Sequence, residues 1–169
     1  MKELILGGAR SGKSRLAEER ALASGLAVTL IVTATGDDEE MRRRILHHQS
    51  RRPADWTVVE EPLALAAAMR AHATPECCLV VDCLTLWLTN LLCAADPQHL
   101  QSECKALLEA LPELPGQIIL VGNETGMGIM PLGELTRRFC DESGRLHQEL
   151  ARLCDRVVLT VAGLPLVLK

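Results

Sequence analysis

Gly7, Gly8, Ala9, Arg10, Ser11, Gly12, Lys13 and Ser14 stand in the spacing G-x-x-x-x-G-K-[ST], directly after an apolar run and before a helix-forming one. That context is what a phosphate-binding loop requires. Gly7 and Gly12 let the backbone turn and bring its N–H groups against phosphate oxygens. Lys13 reaches toward the β and γ phosphates, the Ser14 hydroxyl suits magnesium, and the following helix turns its positive end to the anion. A nucleoside triphosphate, ATP or GTP, and magnesium are the expected ligands. Such a site also needs an acid at the end of a neighbouring strand to hold the metal. Asp82, after CLVV, is the candidate; the plainer alternative is an N-cap for the helix that starts at Leu84. Asn123 and Glu124 end a further apolar run and lead into the glycine-rich Thr125–Pro131. A polar strand end with a loop over it suits a site, though an ordinary turn would look the same.

A second cluster is Ile45-Leu-His-His-Gln-Ser-Arg-Arg-Pro53. On a helix over Asp38–Gln49, positions advance by about 100° each. Met41 and Ile45 then share a face, and His48 lies about 20° from Met41 on that apolar side. His47 lies about 120° away, beside Arg43 and Arg44. An imidazole among arginines is kept neutral, which makes it available as a nucleophile toward phosphorus. Taken alone, a solvated surface histidine is the simpler reading of His47. His72, His99 and His147 look isolated.

These residues need a frame. Short apolar runs at Glu3–Leu6, Val28–Val32, Trp56–Val59, Cys78–Val81, Gln117–Val121, Arg156–Val161 and Leu166–Leu168 read as strands. Helical stretches lie between them: Lys13–Ala23, Asp38–Gln49, Leu63–Ala73, one starting at Leu84, Gln98–Leu111 and Leu132–Leu153. Strands apolar throughout and separated by helices imply an α/β protein with a mostly parallel central sheet flanked by helices on both faces. Ligands then gather at the carboxyl ends of the strands, where every candidate above falls. With 169 residues and no linker or repeat, residues 1–169 are expected to form one nucleotide-binding catalytic domain.

Composition narrows the function class. The formal net charge is −4, which argues against nucleic acid as a partner. Ten of the 18 Lys and Arg nevertheless lie at or before Arg52, a bias that suits a local anionic ligand. Only 2% of residues are aromatic, so the core must come from Leu, Val, Ile and Ala. The 7 cysteines make an odd count without a C-x-x-C pair, giving neither a disulfide framework nor a zinc site. No signal-like start or membrane span is evident, and the protein reads as cytoplasmic.

Together, GGARSGKS, HH-x-x-x-R-P-x-x-W, E-x-P, DCLTLWLTNLL, NETGMGIMP, F-x-D-x-x-G-R-x-x-Q and the closing AGLPLVLK resemble the bifunctional adenosylcobinamide kinase/adenosylcobinamide-phosphate guanylyltransferase family of cobalamin biosynthesis. The motifs run from residue 3 to the end of the chain. The resemblance implies a P-loop NTPase fold with a RecA-like sheet, a homotrimer, and two reactions. One phosphorylates adenosylcobinamide with ATP or GTP. The other transfers GMP from GTP to adenosylcobinamide phosphate through a guanylylated histidine. It places that histidine at His47, and nucleotide contacts on the phosphate loop, Thr33, Ala34, His48, Gln49, Ser50, Arg51, Glu60 and Asp82. Lys13 is the second catalytic residue, and Ser14 and Asp82 are the magnesium ligands. The chain departs from the family pattern where Cys140 and His147 replace an Arg and an Asn, and the stretch Gly36–Glu39 is one residue short. The alternatives are a P-loop small-molecule kinase in which the histidine pair is incidental, and a nucleotide-dependent switch protein.

Overall fold

A computed structural model describes residues 1–35, 53, 55–94 and 96–169. The predicted helix over Asp38–Gln49 lies outside the described residues. Seven strands form one sheet: β1 (Lys2–Gly7), β2 (Ala27–Val32), β3 (Thr57–Glu60), β4 (Cys77–Asp82), β5 (Gln117–Asn123), β6 (Arg156–Val161) and β7 (Leu164–Val167), in the order β3-β2-β4-β5-β1-β6-β7. Every pairing is parallel except β6 with β7. The described helices are α1 (Lys13–Ala23), α2 (Leu65–His72), α3 (Leu84–Cys93), α4 (Pro97–Glu113) and α5 (Glu134–Leu153).

Strand periodicity sorts the core into two layers. Leu4, Leu79, Val81, Ile118 and Leu120 point to one face and pack with Leu65, Met69, Trp87, Leu88, Leu107 and Leu150 of α2 to α5. Ile5, Cys78, Val80, Ile119 and Val121 point to the other, where Ala17 and Ala21 of α1 meet them. Because α1 buries only alanines and the stem of Lys13, its backbone lies close over the sheet beside the loop it follows. The expectation of a sheet apolar on both faces holds, with aliphatic side chains carrying nearly all of it.

The chain's last strand differs from the sequence expectation. The apolar runs predict a strand over Leu166–Leu168. Instead the turn is Ala162-Gly163, both at positive φ (51° and 81°), and Val161 pairs with Leu164. Two central residues of that kind make the tight antiparallel hairpin. Pro165 then sits within β7, tolerated because an edge strand leaves one row of backbone groups unpaired.

Candidate active site

The parallel register lines up the strand ends. Glu60, Val32, Asp82 and Val121 lie level across β3, β2, β4 and β5, while Gly7, Asn123 and Thr160 lie level across β1, β5 and β6, two residues further on. Every described site residue predicted from the sequence falls on this one edge. They are not all adjacent, however. Asp82 is two strands from β1, about 10 Å, and Glu60 is four strands away, about 19 Å.

The phosphate loop leaves β1 at Gly7, and Gly12, at φ 100°, caps α1 without a side chain. A side chain at Gly7 would strike the carbonyl of Thr160 and lie 2.6 Å from the Ser11 hydroxyl. The hairpin supports the loop from outside: the Gly163 N–H donates to the Ser11 carbonyl at 2.8 Å. Lys13 is buried and its Nζ donates to the Gly8 carbonyl at 2.6 Å. Burial lowers the Lys13 pKa, against the raising effect of neighbouring Cys83 and Asp82. The Cys83 thiol is itself pushed up to about 11, chiefly by burial, so at neutral pH it is uncharged. Asp82 does not cap α3; the cap is Cys83, with no side-chain bond. Its carboxylate is thus left for the site. With the Ser14 hydroxyl on the first turn of α1, the donors are hard oxygens suited to a magnesium ion that keeps waters and phosphate among its ligands. Among the described residues no cluster of three or more His, Cys, Asp or Glu offers an all-protein metal cage.

The DCLTLWLTN segment bolts the strand ends together. Asn90 Nδ2 donates to the carbonyls of Thr33 (2.8 Å) and Pro62 (3.1 Å), and Trp87 Nε1 to that of Leu63 (2.7 Å). Thr85 Oγ1 accepts from the N–H of Asn123 at 2.7 Å. Thr33 is fully buried; its hydroxyl donates to the Cys83 carbonyl (2.7 Å) and accepts from the Cys83 N–H (3.1 Å). The ends of three strands, β2, β3 and β5, are thereby fastened by polar side chains of one apolar helix. Ala34 follows Thr33, half-buried, and Glu60 is exposed at the far end. His47, His48, Gln49, Ser50 and Arg51 lie outside the described residues.

Two residues at the β5 end acquire a context that the sequence did not supply. The Glu124 N–H donates to the Gly7 carbonyl at 2.9 Å, tying the end of β5 to the start of the phosphate loop. His147, read above as isolated, is buried on α5 with its ring against Gly122, where a Cβ would lie 2.9 Å from Nε2. Burial lowers the His147 pKa, with the Glu124 charge opposing. The available signal was a glycine at a strand end paired in the fold with a departure from the family pattern. Beyond Glu124, Met127, Ile129, Met130 and Leu132 are exposed.

The loop after β1, the acid after β4 and this strand order define a P-loop nucleotide-binding fold of the RecA-like kind. The structure of the RadB recombinase shares it, at a TM-score of 0.53 and 16% identity, over 94% of this chain and 73% of that one. Residues 3–168 match the family described as cobinamide kinase / cobinamide phosphate guanyltransferase, and the chain belongs to that family. It is 64% identical to the bifunctional adenosylcobalamin biosynthesis protein CobP of Pseudomonas aeruginosa, over 100% of this chain and 98% of that protein. It is 37% identical to the bifunctional adenosylcobalamin biosynthesis protein CobU of Salmonella typhimurium, over the full length of both. No described helix is long and apolar enough to cross a membrane, and all seven cysteines are free.

Proposed function

We propose that this chain is the two-reaction transferase of its family: it phosphorylates the hydroxyl of adenosylcobinamide with ATP or GTP, then transfers GMP from GTP onto an oxygen of that phosphate. The observation that carries the reading is a complete phosphate loop, with Lys13 buried and its Nζ on the Gly8 carbonyl, in a chain that matches the family from residue 3 to residue 168. In the first reaction Lys13 and the loop amides hold the triphosphate and neutralise charge as the γ-phosphoryl moves. Ser14 and Asp82 would hold magnesium, which adds positive charge across the phosphates.

In the second reaction a neutral His47 nitrogen bonds to the α-phosphorus of GTP and pyrophosphate leaves with the electron pair. A phosphate oxygen of adenosylcobinamide phosphate then bonds to the same phosphorus, and the P–N bond breaks. The covalent step divides one crowded displacement into two. His48 to Arg51 and Glu60 would line the nucleoside end, with Thr33 and Ala34 supporting the floor between them and the loop. The work is done by one domain over residues 1–169 in the cytoplasm, as a homotrimer. Incubation with adenosylcobinamide, ATP and GTP tests this: adenosylcobinamide-GDP and pyrophosphate should accumulate, with the monophosphate as an intermediate. Formation of neither corrinoid product would reject the reading.

A further inference from the structure

We propose that Glu124 is the general base of the phosphorylation step, a deepening that rests on the kinase reading above. The step needs an acceptor for the hydroxyl proton beside the γ-phosphate. Among the described residues four carboxylates stand on this edge of the sheet at strand ends. Glu60 and Glu61 are four strands from the loop, about 19 Å, which is out of reach, and Glu61 Oε1 is taken by the Leu63 and Ala64 N–H groups. Asp82, the last residue of β4, is the one read above as a magnesium ligand. Glu124 is one strand away, about 5 Å, and its backbone is bonded to Gly7 itself at 2.9 Å.

The carboxylate is also oriented. Its Oε1 accepts from the Gly126 N–H at 2.6 Å, while Oε2 takes no hydrogen bond among the described residues. The His147 ring packs against Gly122, two residues before it in the chain. A half-buried carboxylate with one oxygen fixed and one open can take a proton at a set position. As the acceptor oxygen bonds to the γ-phosphorus, its proton passes to Glu124 Oε2. The bond from that phosphorus to the bridging oxygen breaks, and the nucleoside diphosphate leaves with the electron pair. Glu124 then returns the proton to solvent, which its partial exposure permits.

The test is steady-state phosphorylation of adenosylcobinamide by wild type, Glu124→Gln and Glu124→Asp, with folding checked by thermal unfolding. Glu124→Gln should lower kcat by about a hundredfold or more, with the KM for triphosphate changing less than about threefold. Glu124→Asp, which keeps a carboxylate, should retain at least about tenfold more of kcat than Glu124→Gln. A Glu124→Gln kcat within threefold of wild type, or a loss wholly in KM, overturns the assignment and leaves the two-reaction reading standing. Should Glu124→Gln unfold, Glu124→Ala takes its place in the same comparison: a kcat at least about tenfold below that of Glu124→Asp at steady KM supports the base, and a kcat within threefold of wild type overturns it. A wild type that phosphorylates no corrinoid rejects both.

Discussion

The two ends of one sheet edge are built differently. At the β1–β5–β6 end, the loop is clamped from three sides: Glu124 N–H on Gly7, Gly163 N–H on Ser11, and Lys13 on Gly8. At the β2–β3 end, the strand termini are held from beneath by α3, through Asn90, Trp87 and the buried Thr33, while Glu60 stands exposed. The first end suits a fixed anion. The second gives a braced floor beneath the ends of β2 and β3.

The comparison can be broken most sharply at Lys13. Lys13→Ala should cut kcat/KM of both transfers by roughly 10²–10³. A loss confined to one transfer in steady-state assays would mean that the two reactions do not share the loop. Next, Asn90→Ala should cost about 3 kcal/mol in urea unfolding, because it strips the Thr33 and Pro62 carbonyls of their donor within a packed helix face. A cost below about 0.5 kcal/mol would show that α3 does not brace the β2–β3 end.

A smaller effect probes the clamped end. Gly122→Ala places a methyl 2.9 Å from His147 Nε2 and should destabilise by about 2 kcal/mol. In a His147→Ala background that cost should fall by at least about 1 kcal/mol, and a fully additive double-mutant cycle would deny the contact. The smallest effect is on pH dependence. The folded-state pKa of His147 lies below its ordinary value of about 6.5, so folding favours the neutral ring. Stability from this group is intact above pH of about 6.5 and is lost as pH falls toward the folded-state pKa. His147→Asn should flatten that acid slope in urea unfolding, and an unchanged slope would contradict it.

Most of this architecture is legible in the chain because its signals are local. The phosphate loop announces itself by spacing, α1 spans Lys13–Ala23 as expected, and Asp82 is found by the end of an apolar run. What escaped were relations across the fold. The register that sets Glu124 beside Gly7 depends on which strands are neighbours, and β5 and β1 are far apart in the chain. His147 looked isolated because its partners, Gly122 and Glu124, belong to another element. The DCLTLWLTN run identified the family, but its hydrogen bonds to Thr33, Pro62, Leu63 and Asn123 explain physically why those polar residues interrupt an apolar helix. The hairpin was displaced by two residues because Ala162 at positive φ is an unusual choice for a turn.

Both transfers should draw on the phosphate loop, and only the second should need His47. GTP labelled at the α-phosphate, given to wild type and to His47→Ala, tests this together with a phosphorylation assay on the same samples. Acid-labile label should appear on wild type and be absent from His47→Ala, while His47→Ala still phosphorylates adenosylcobinamide within about tenfold of wild type. Label that persists in His47→Ala, or loss of both activities in a variant that remains folded, would contradict the account.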